Sequence, residues 1–287
     1  MRMPEVFDDR RLELGEGPLW HPERRQLFWF DILGRQLLTR DEDGPGSWSF
    51  DEPVSAAGWV SPRELLVASA SALNLFDIGS GRHSVICPLE PDKPDNRSND
   101  GRADPAGGFW IGTMSLAKVE GAGTIWRYFR GEMRRLFEGL TIPNAICFTP
   151  DGGIAYFADT SRQRIFRVTL DGSGWPRGEP AVFLDLEADG LHPDGAVVDR
   201  EGRLWNAQWG ASRIACYRPD GSFETALSFP ASQVSCPAFG GDGLSVLYAT
   251  TAQESFGAAE REAEPMAGMV FSIETEAVGQ PEHQVIL

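Results

Sequence analysis

His192-Pro193-Asp194-Gly195-Ala196-Val197-Val198-Asp199-Arg200-Glu201-Gly202-Arg203-Leu204-Trp205 places a polar residue, Asp194, six positions ahead of a turn at Arg200, and beyond the turn an apolar run opens at Arg203-Leu204-Trp205. The arrangement recurs. Turn positions Pro22, Pro62, Pro105, Pro150 and Gly241 likewise stand a few residues before Gln26-Leu27-Phe28-Trp29, Glu64-Leu65-Leu66-Val67, Gly108-Phe109-Trp110-Ile111, Ile154-Ala155-Tyr156-Phe157 and Ser245-Val246-Leu247-Tyr248. Counting back six from each turn gives Glu16, Ala56, Asn99, Asn144, Asp194 and Ser235, and five of the six carry groups able to bind a ligand. Successive turns lie roughly forty to fifty residues apart, the period of a four-stranded propeller blade.

The rest of the chain agrees with an all-β reading. Short β-branched and aromatic runs are bounded by Gly, Pro and Asp, and no amphipathic helical stripe of ten or more residues is present. Asp151-Gly152, Asp171-Gly172, Asp220-Gly221 and Asp242-Gly243 read as hairpin turns, because the dipeptide accepts positive φ at little cost; Asp100 and Asp194 are exempted, since they lie on the binding side of their strands. With 287 residues and no linker-like stretch, the expected architecture is a single domain, residues 1–287: a six-bladed β-propeller of four-stranded antiparallel blades around a central channel. Ala252 to Gly268, rich in Glu and Ala, reads as a solvated loop within the last blade rather than a recognition element.

Composition restricts partners. A net charge of -16 repels phosphate backbones and anionic lipid, so neither nucleic acid nor a membrane surface is expected. There is no apolar run of bilayer-spanning length, and the opening Met1-Arg2-Met3-Pro4-Glu5 is polar, which makes the cytoplasm the expected location. Cys87, Cys147, Cys216 and Cys236 form no C-x-x-C pair and read as small core residues. His21 falls at the far end of its strand from the binding position and is expected to be a surface or turn histidine.

In a propeller the first strand of each blade lines the channel, so equivalent positions converge on one point near the axis. Glu16 and Asp194 would then crowd two carboxylates together, at a cost unless a cation or protons neutralise them. A divalent metal is the simplest neutraliser. Two carboxylates and the carbonyl oxygen of Asn144 make an all-oxygen set suited to a hard cation such as Ca²⁺, Mg²⁺ or Mn²⁺, with positions left open for water and substrate.

The segments LGEGPLW from Leu14, RSNDGRADPAGGFWIGTM from Arg97, IPNAICFTPDG from Ile142, HPDGAVVDREGRLWNAQWG from His192 and CPAFGG from Cys236 resemble the SMP-30/gluconolactonase/regucalcin family, in family order from first blade to last. The resemblance implies a six-bladed propeller holding one divalent metal ion and hydrolysing sugar lactones to aldonic acids. Its metal ligands would be Glu16, Asn144 and Asp194, the set selected by the repeat register. Ca²⁺ comes first by ligand type, with Zn²⁺, Mn²⁺, Mg²⁺ and Fe²⁺ as alternatives. Arg97, Asn99 and Glu120 would contact substrate, although the loop between Glu120 and Gly123 is one residue shorter than the family form, and Asp194 would also be the general acid/base. Ala145 replaces the Gly that often follows the ligand Asn, so the backbone there is expected to avoid positive φ.

The expected chemistry is ester hydrolysis. A polarised lactone carbonyl is attacked by water, with Asp194 exchanging the proton and Arg97 and Asn99 fixing the sugar. The partner is a small-molecule sugar lactone of the gluconolactone or xylonolactone kind, and the protein is expected as a monomer or weak homodimer. The alternatives are a non-catalytic calcium-binding regulatory propeller and a metal-dependent phosphotriesterase or aryl-lactonase on the same scaffold. A strictosidine-synthase-like propeller would lack the acidic pair.

Overall fold

The computed structural model describes residues 3–287 and shows six four-stranded antiparallel sheets arranged as blades around a channel. The innermost strands are Gly15–His21, Val54–Ser61, Asn96–Ala103, Pro143–Phe148, His192–Val198 and Val234–Gly240, opening blades 1 to 6. Each carries one of the six repeat positions, as the register predicts. The outermost strands, such as His83–Pro88 and Phe223–Ser228, are largely exposed or half-buried.

Closure of the ring was not legible in the repeat. The fourth strand of blade 6 is Glu5–Asp8 from the start of the chain, paired antiparallel with Val270–Glu274 near its end. Joining the two ends in one sheet covers an edge that would otherwise be left open.

Aromatic side chains join neighbouring blades. Trp110, on the second strand of blade 3, meets Phe148 of blade 4 edge-on at 5.3 Å between ring centroids, and Trp205 of blade 5 meets Phe239 of blade 6 in the same way at 5.9 Å. Tyr248 of blade 6 stacks on Trp20 of blade 1 at 5.7 Å, carrying the pattern across the closure. Such pairs add about 0.5–1.5 kcal/mol each beyond area burial.

In five blades the residue just before the turn position caps the turn with its side chain, and in blade 6 that residue is Gly240. Asp104 accepts from the backbone N–H groups of Ala106 and Gly108 and from Trp110 Nε1, while Asp199 accepts from those of Glu201 and Arg203 and from Trp205 Nε1. Thr149 accepts from Ile154 N with its hydroxyl. His21 occupies the same position in blade 1, and of the expected surface or turn placement the turn holds and the surface does not: the ring is fully buried, its Nδ1 accepts from Arg24 N at 3.3 Å, and its Nε2–H therefore donates to Ser61 O at 3.0 Å. Burial lowers its pKa. The cysteines are all free, and Cys147, Cys216 and Cys236 are buried as expected while Cys87 is half-buried.

The loop after Val246–Thr251 holds a short α-helix, Ala258–Ala263. Among the described residues, no helix is long and apolar enough to cross a membrane. The C-terminal tail crosses the far end of the channel. Gln280 Nε2 donates to Phe148 O and Val198 O, the Glu282 carboxylate pairs with Arg102, and Trp59 Nε1 donates to Glu282 O. Arg102 also donates to Ile146 O, which makes one largely buried cation a link between the tail and blades 3 and 4.

Candidate functional site

A β-bulge at the binding position of the innermost strand re-aims side chains toward the axis. In blade 1, Glu16 faces Phe30 and Leu19 faces Phe28, so the inner strand has one residue more than its partner; Asn144 to Cys147 against Ala158 to Tyr156, and Pro193 to Ala196 against Gln208 to Asn206, repeat the count. The bulge in blade 1 needs Gly17 at φ 54°, where a Cβ would stand 2.2 Å from Ser55 O. Ala145 is the counterpart in blade 4, and it corrects the expectation from sequence: its φ is 55° despite its Cβ. The next residue explains how this is held, because Ile146 N donates to Asp100 Oδ2 at 2.6 Å across the blade boundary. The ligand position is thus formed in both blades by the same left-handed residue.

All six repeat positions are buried, and four of them, Glu16, Asn99, Asn144 and Asp194, line one cavity. Glu16 and Asp194 come from blades 1 and 5, and their buried carboxyl groups face one cavity and interact electrostatically. Burial, with the nearby Asp100 carboxyl, pushes Glu16 up to about 8. Burial and the facing Glu16 raise Asp194 well above the ordinary carboxylate range. Glu16 Oε2 also accepts from Gly17 N at 2.9 Å. Asn206 Nδ2 donates to the carbonyls of Asp194 and Gly195, fixing the bulge beneath Asp194.

Asn99 connects the two amide-bearing blades. Its Nδ2 donates to Asn144 Oδ1 at 2.8 Å and to Pro143 O at 3.0 Å, and its Oδ1 accepts from Arg97 Nη1 at 2.8 Å. Asn144 Nδ2 donates in turn to Thr160 Oγ1. Arg97 is buried, which lowers its pKa, and the charges of Glu254, Glu16 and Asp194 oppose that shift. These side chains line a cavity of about 460 Å³ at one mouth of the channel.

The remaining repeat positions do not face a ligand. Ala56 is apolar, and Ser235 Oγ donates to Gly15 O, tying blade 6 to blade 1. Glu120 lies exposed on the 116–122 loop and does not itself line the cavity. Lys118 of the same loop does line it, together with Glu254 from the segment read as a solvated excursion, and Thr160 and Trp209. Sequence reading missed these four because Lys118, Thr160 and Glu254 sit in connections and Trp209 ends a second strand, all outside the counted repeat position.

The donor set suits a divalent cation of the kind the resemblance implies. Two buried carboxyls and the Asn144 amide oxygen lining one cavity form an oxygen-only site whose charge a dication would neutralise.

Fold and site define a six-bladed propeller with an acidic pair at one mouth of its channel. Residues 14–253 match the SMP-30/Gluconolactonase/LRE-like region, and the chain belongs to this family. It is 36% identical over 285 residues to an L-arabinolactonase of Azospirillum brasilense, covering 96% of this chain and 92% of the relative. A 6-deoxy-6-sulfogluconolactonase of Pseudomonas putida is 30% identical over 269 residues, covering 93% and 92%. The solved structure of a calcium-binding protein, regucalcin, from Agrobacterium tumefaciens strain C58 superposes with a TM-score of 0.97 at 37% identity, covering 100% of this chain and 98% of the other. Lactone opening is carboxylic ester hydrolysis, and the chain is an enzyme of that class.

Proposed function

We propose that the protein opens an aldonolactone to the aldonic acid with one divalent cation held by Glu16, Asn144 and Asp194, Ca²⁺ being the first choice by ligand type. The observation that carries this reading is the convergence of two buried carboxyls, Glu16 and Asp194, from blades 1 and 5 on one cavity that also presents the Arg97 guanidinium. Two like charges in a buried site are costly, and that cost falls when a cation is shared between them. Relatives that open sugar lactones, matched along nearly their whole length, support the substrate class.

When bound, the cation would supply Lewis-acid polarisation of the lactone carbonyl. The chain's own groups do the rest. Arg97, with Nη1 bonded to Ser98 O and Asn99 Oδ1, orients substrate oxygens through its other N–H groups, and Asn99 holds the adjoining wall. Asp194 takes the proton of the attacking water and returns one to the ring oxygen as the acyl bond breaks. The cavity is large enough to admit a monosaccharide lactone, and Leu14, Ile142 and Trp209 give it apolar wall. Glu120 has no part in this reading, since its side chain is exposed outside the cavity.

The similarity to a calcium-binding regucalcin favours a second reading, a propeller that binds calcium without turnover. The two separate on acid release from glucono-, xylono- and arabinolactones in a weak indicator buffer, with a series of divalent metals and with chelator. Metal-dependent, chelator-sensitive release is expected. Tight calcium binding without release from any lactone would favour the second reading.

A further inference from the structure

We infer that Glu254 sets the charge selectivity of the cavity: by neutralising Lys118 across the mouth, it suits the site to lactones without an anionic substituent and lets the anionic product leave. The inference rests on the lactonase reading above and concerns which lactone that site accepts.

Lys118 and Glu254 reach the mouth from opposite sides of the ring. Lys118 stands on the 116–122 loop of blade 3, and Glu254 follows the Val246–Thr251 strand of blade 6. Lys118 Nζ lies 3.4 and 3.3 Å from the two carboxylate oxygens of Glu254. The Glu254 end is the anchored one: its carbonyl accepts from Gln233 Nε2 at 3.0 Å, and its side chain is 21% exposed against 50% for Lys118. Both residues line the cavity that holds Glu16, Arg97 and Asp194.

The cavity wall therefore carries two cations and one anion, apart from the acidic pair that faces the proposed dication. Arg97 is the second cation. Among the described residues no carboxylate pairs with it within 4.0 Å, and its buried guanidinium feels Glu254 ahead of Glu16 and Asp194. Glu254 thus acts on both cations, Lys118 by contact and Arg97 from a greater distance.

Hydrolysis turns a neutral lactone into a carboxylate and a proton. Two uncompensated cations in a partly desolvated cavity would hold that carboxylate more tightly than the lactone from which it came. They would equally attract a phosphate or sulfonate on the sugar. Glu254 leaves one net positive charge on the wall, enough to meet the charge that develops at the reacting carbonyl and too little to trap the product.

The test compares Glu254→Gln and Lys118→Met with the wild type at low ionic strength. The readouts are kcat/KM for glucono-δ-lactone, kcat/KM for 6-phosphoglucono-δ-lactone, and inhibition by gluconate. Glu254→Gln should raise the phospholactone-to-gluconolactone ratio by roughly tenfold and tighten gluconate inhibition in the same direction, the scale of one charge acting across a protein cavity. Lys118→Met should move both readouts the opposite way. It removes only a half-exposed side chain and so carries the test alone if Glu254→Gln fails to fold. Unchanged ratio and inhibition, with gluconolactone hydrolysis retained, would overturn this inference alone. Absence of lactone hydrolysis by the wild type with every divalent metal would overturn the functional reading and this inference with it.

Discussion

Thr160 Oγ1 accepts a hydrogen bond from Asn144 Nδ2 at 2.8 Å and donates its own proton to the carbonyl of Pro193 at 2.7 Å. The polarity of this link is forced. Arg97 can only donate and the Pro193 carbonyl can only accept, so every group between them, Asn99, Asn144 and Thr160, has a single orientation. The Asn144 amide oxygen is thereby turned toward Asn99, and the residue before Asp194 is tied to blade 4. Thr160→Val removes the acceptor and the donor together and should weaken divalent-metal affinity by about tenfold or more, the range seen when a ligand loses its supporting hydrogen bond. Thr160→Ser should restore most of it. Calorimetric titration with Ca²⁺ and Mn²⁺ measures both, and equal affinity in Thr160→Val and wild type would remove Thr160 from the ligand support.

Glu16→Gln keeps the size of the side chain and removes one charge from the proposed ligand set. Metal affinity should fall, and activity should recover partly when metal is raised. Calorimetry on the variant decides it, since unchanged stoichiometry and affinity would exclude Glu16 as a ligand.

The two roles proposed for Asp194 separate from that of Asn99. Asp194→Asn retains an oxygen but deletes the base, so some metal should stay bound while kcat falls by about 10² or more. Asn99→Ala leaves all three proposed ligands in place but removes the donor to Asn144 Oδ1, so it should raise KM and, like Thr160→Val, lower metal affinity, while kcat at saturating metal falls far less than in Asp194→Asn. Metal content and lactone kinetics on both variants provide the check: near wild-type turnover in metal-loaded Asp194→Asn would show that the base lies elsewhere.

The acidic pair also makes the metal-free protein sensitive to pH. Glu16 is raised in the folded chain from its ordinary 4.5 to about 8, and Asp194 is raised as well. Above its ordinary value the unfolded chain gives up a proton that the folded chain keeps, so stability falls with rising pH. The chelated protein should therefore be most stable below the ordinary values of 3.8 and 4.5 as far as this pair is concerned, and should lose Tm as pH climbs from there through about 8. Saturating metal should flatten that slope, and its binding should release protons between these limits. Thermal melts with and without chelator, together with calorimetry in buffers of different ionisation enthalpy, measure the two effects.

At the far end of the channel, Glu282 from the tail neutralises Arg102, whose side chain is 11% exposed. Glu282→Gln leaves that cation without its carboxylate and should cost about 3 kcal/mol in denaturant unfolding, the usual scale for breaking a buried pair. A change below 1 kcal/mol would mean that water or the backbone carbonyls around Arg102 compensate for the pair.

The six-fold register could be read in the chain because each blade repeats the same local problem: a channel-lining strand, a turn that needs its N–H groups capped, and an apolar second strand. Glu16, Asn99, Asn144 and Asp194 were found by counting, since a bulged inner strand puts the same repeat position at the same mouth in every blade. The register placed His21 at the turn end of its strand, where it is found, but did not show that its ring is buried there. Its position corresponds to Asp104 and Asp199, where burial and turn capping decide the environment. Ala145 was misjudged for a related reason: intrinsic backbone preference gave way to a hydrogen bond from Ile146 to Asp100 in the next blade.

Sequence by itself determined the blade count, the inner strands and the acidic pair, because these depend on interactions within one repeat and on the period of the repeats. Only the tertiary structure decided that Glu5–Asp8 completes blade 6, that Thr160 turns the Asn144 amide, and that Lys118 meets Glu254 across the mouth. Each of those joins segments from connections or chain ends that share no periodicity, and only closure of the ring brings them within reach of one another.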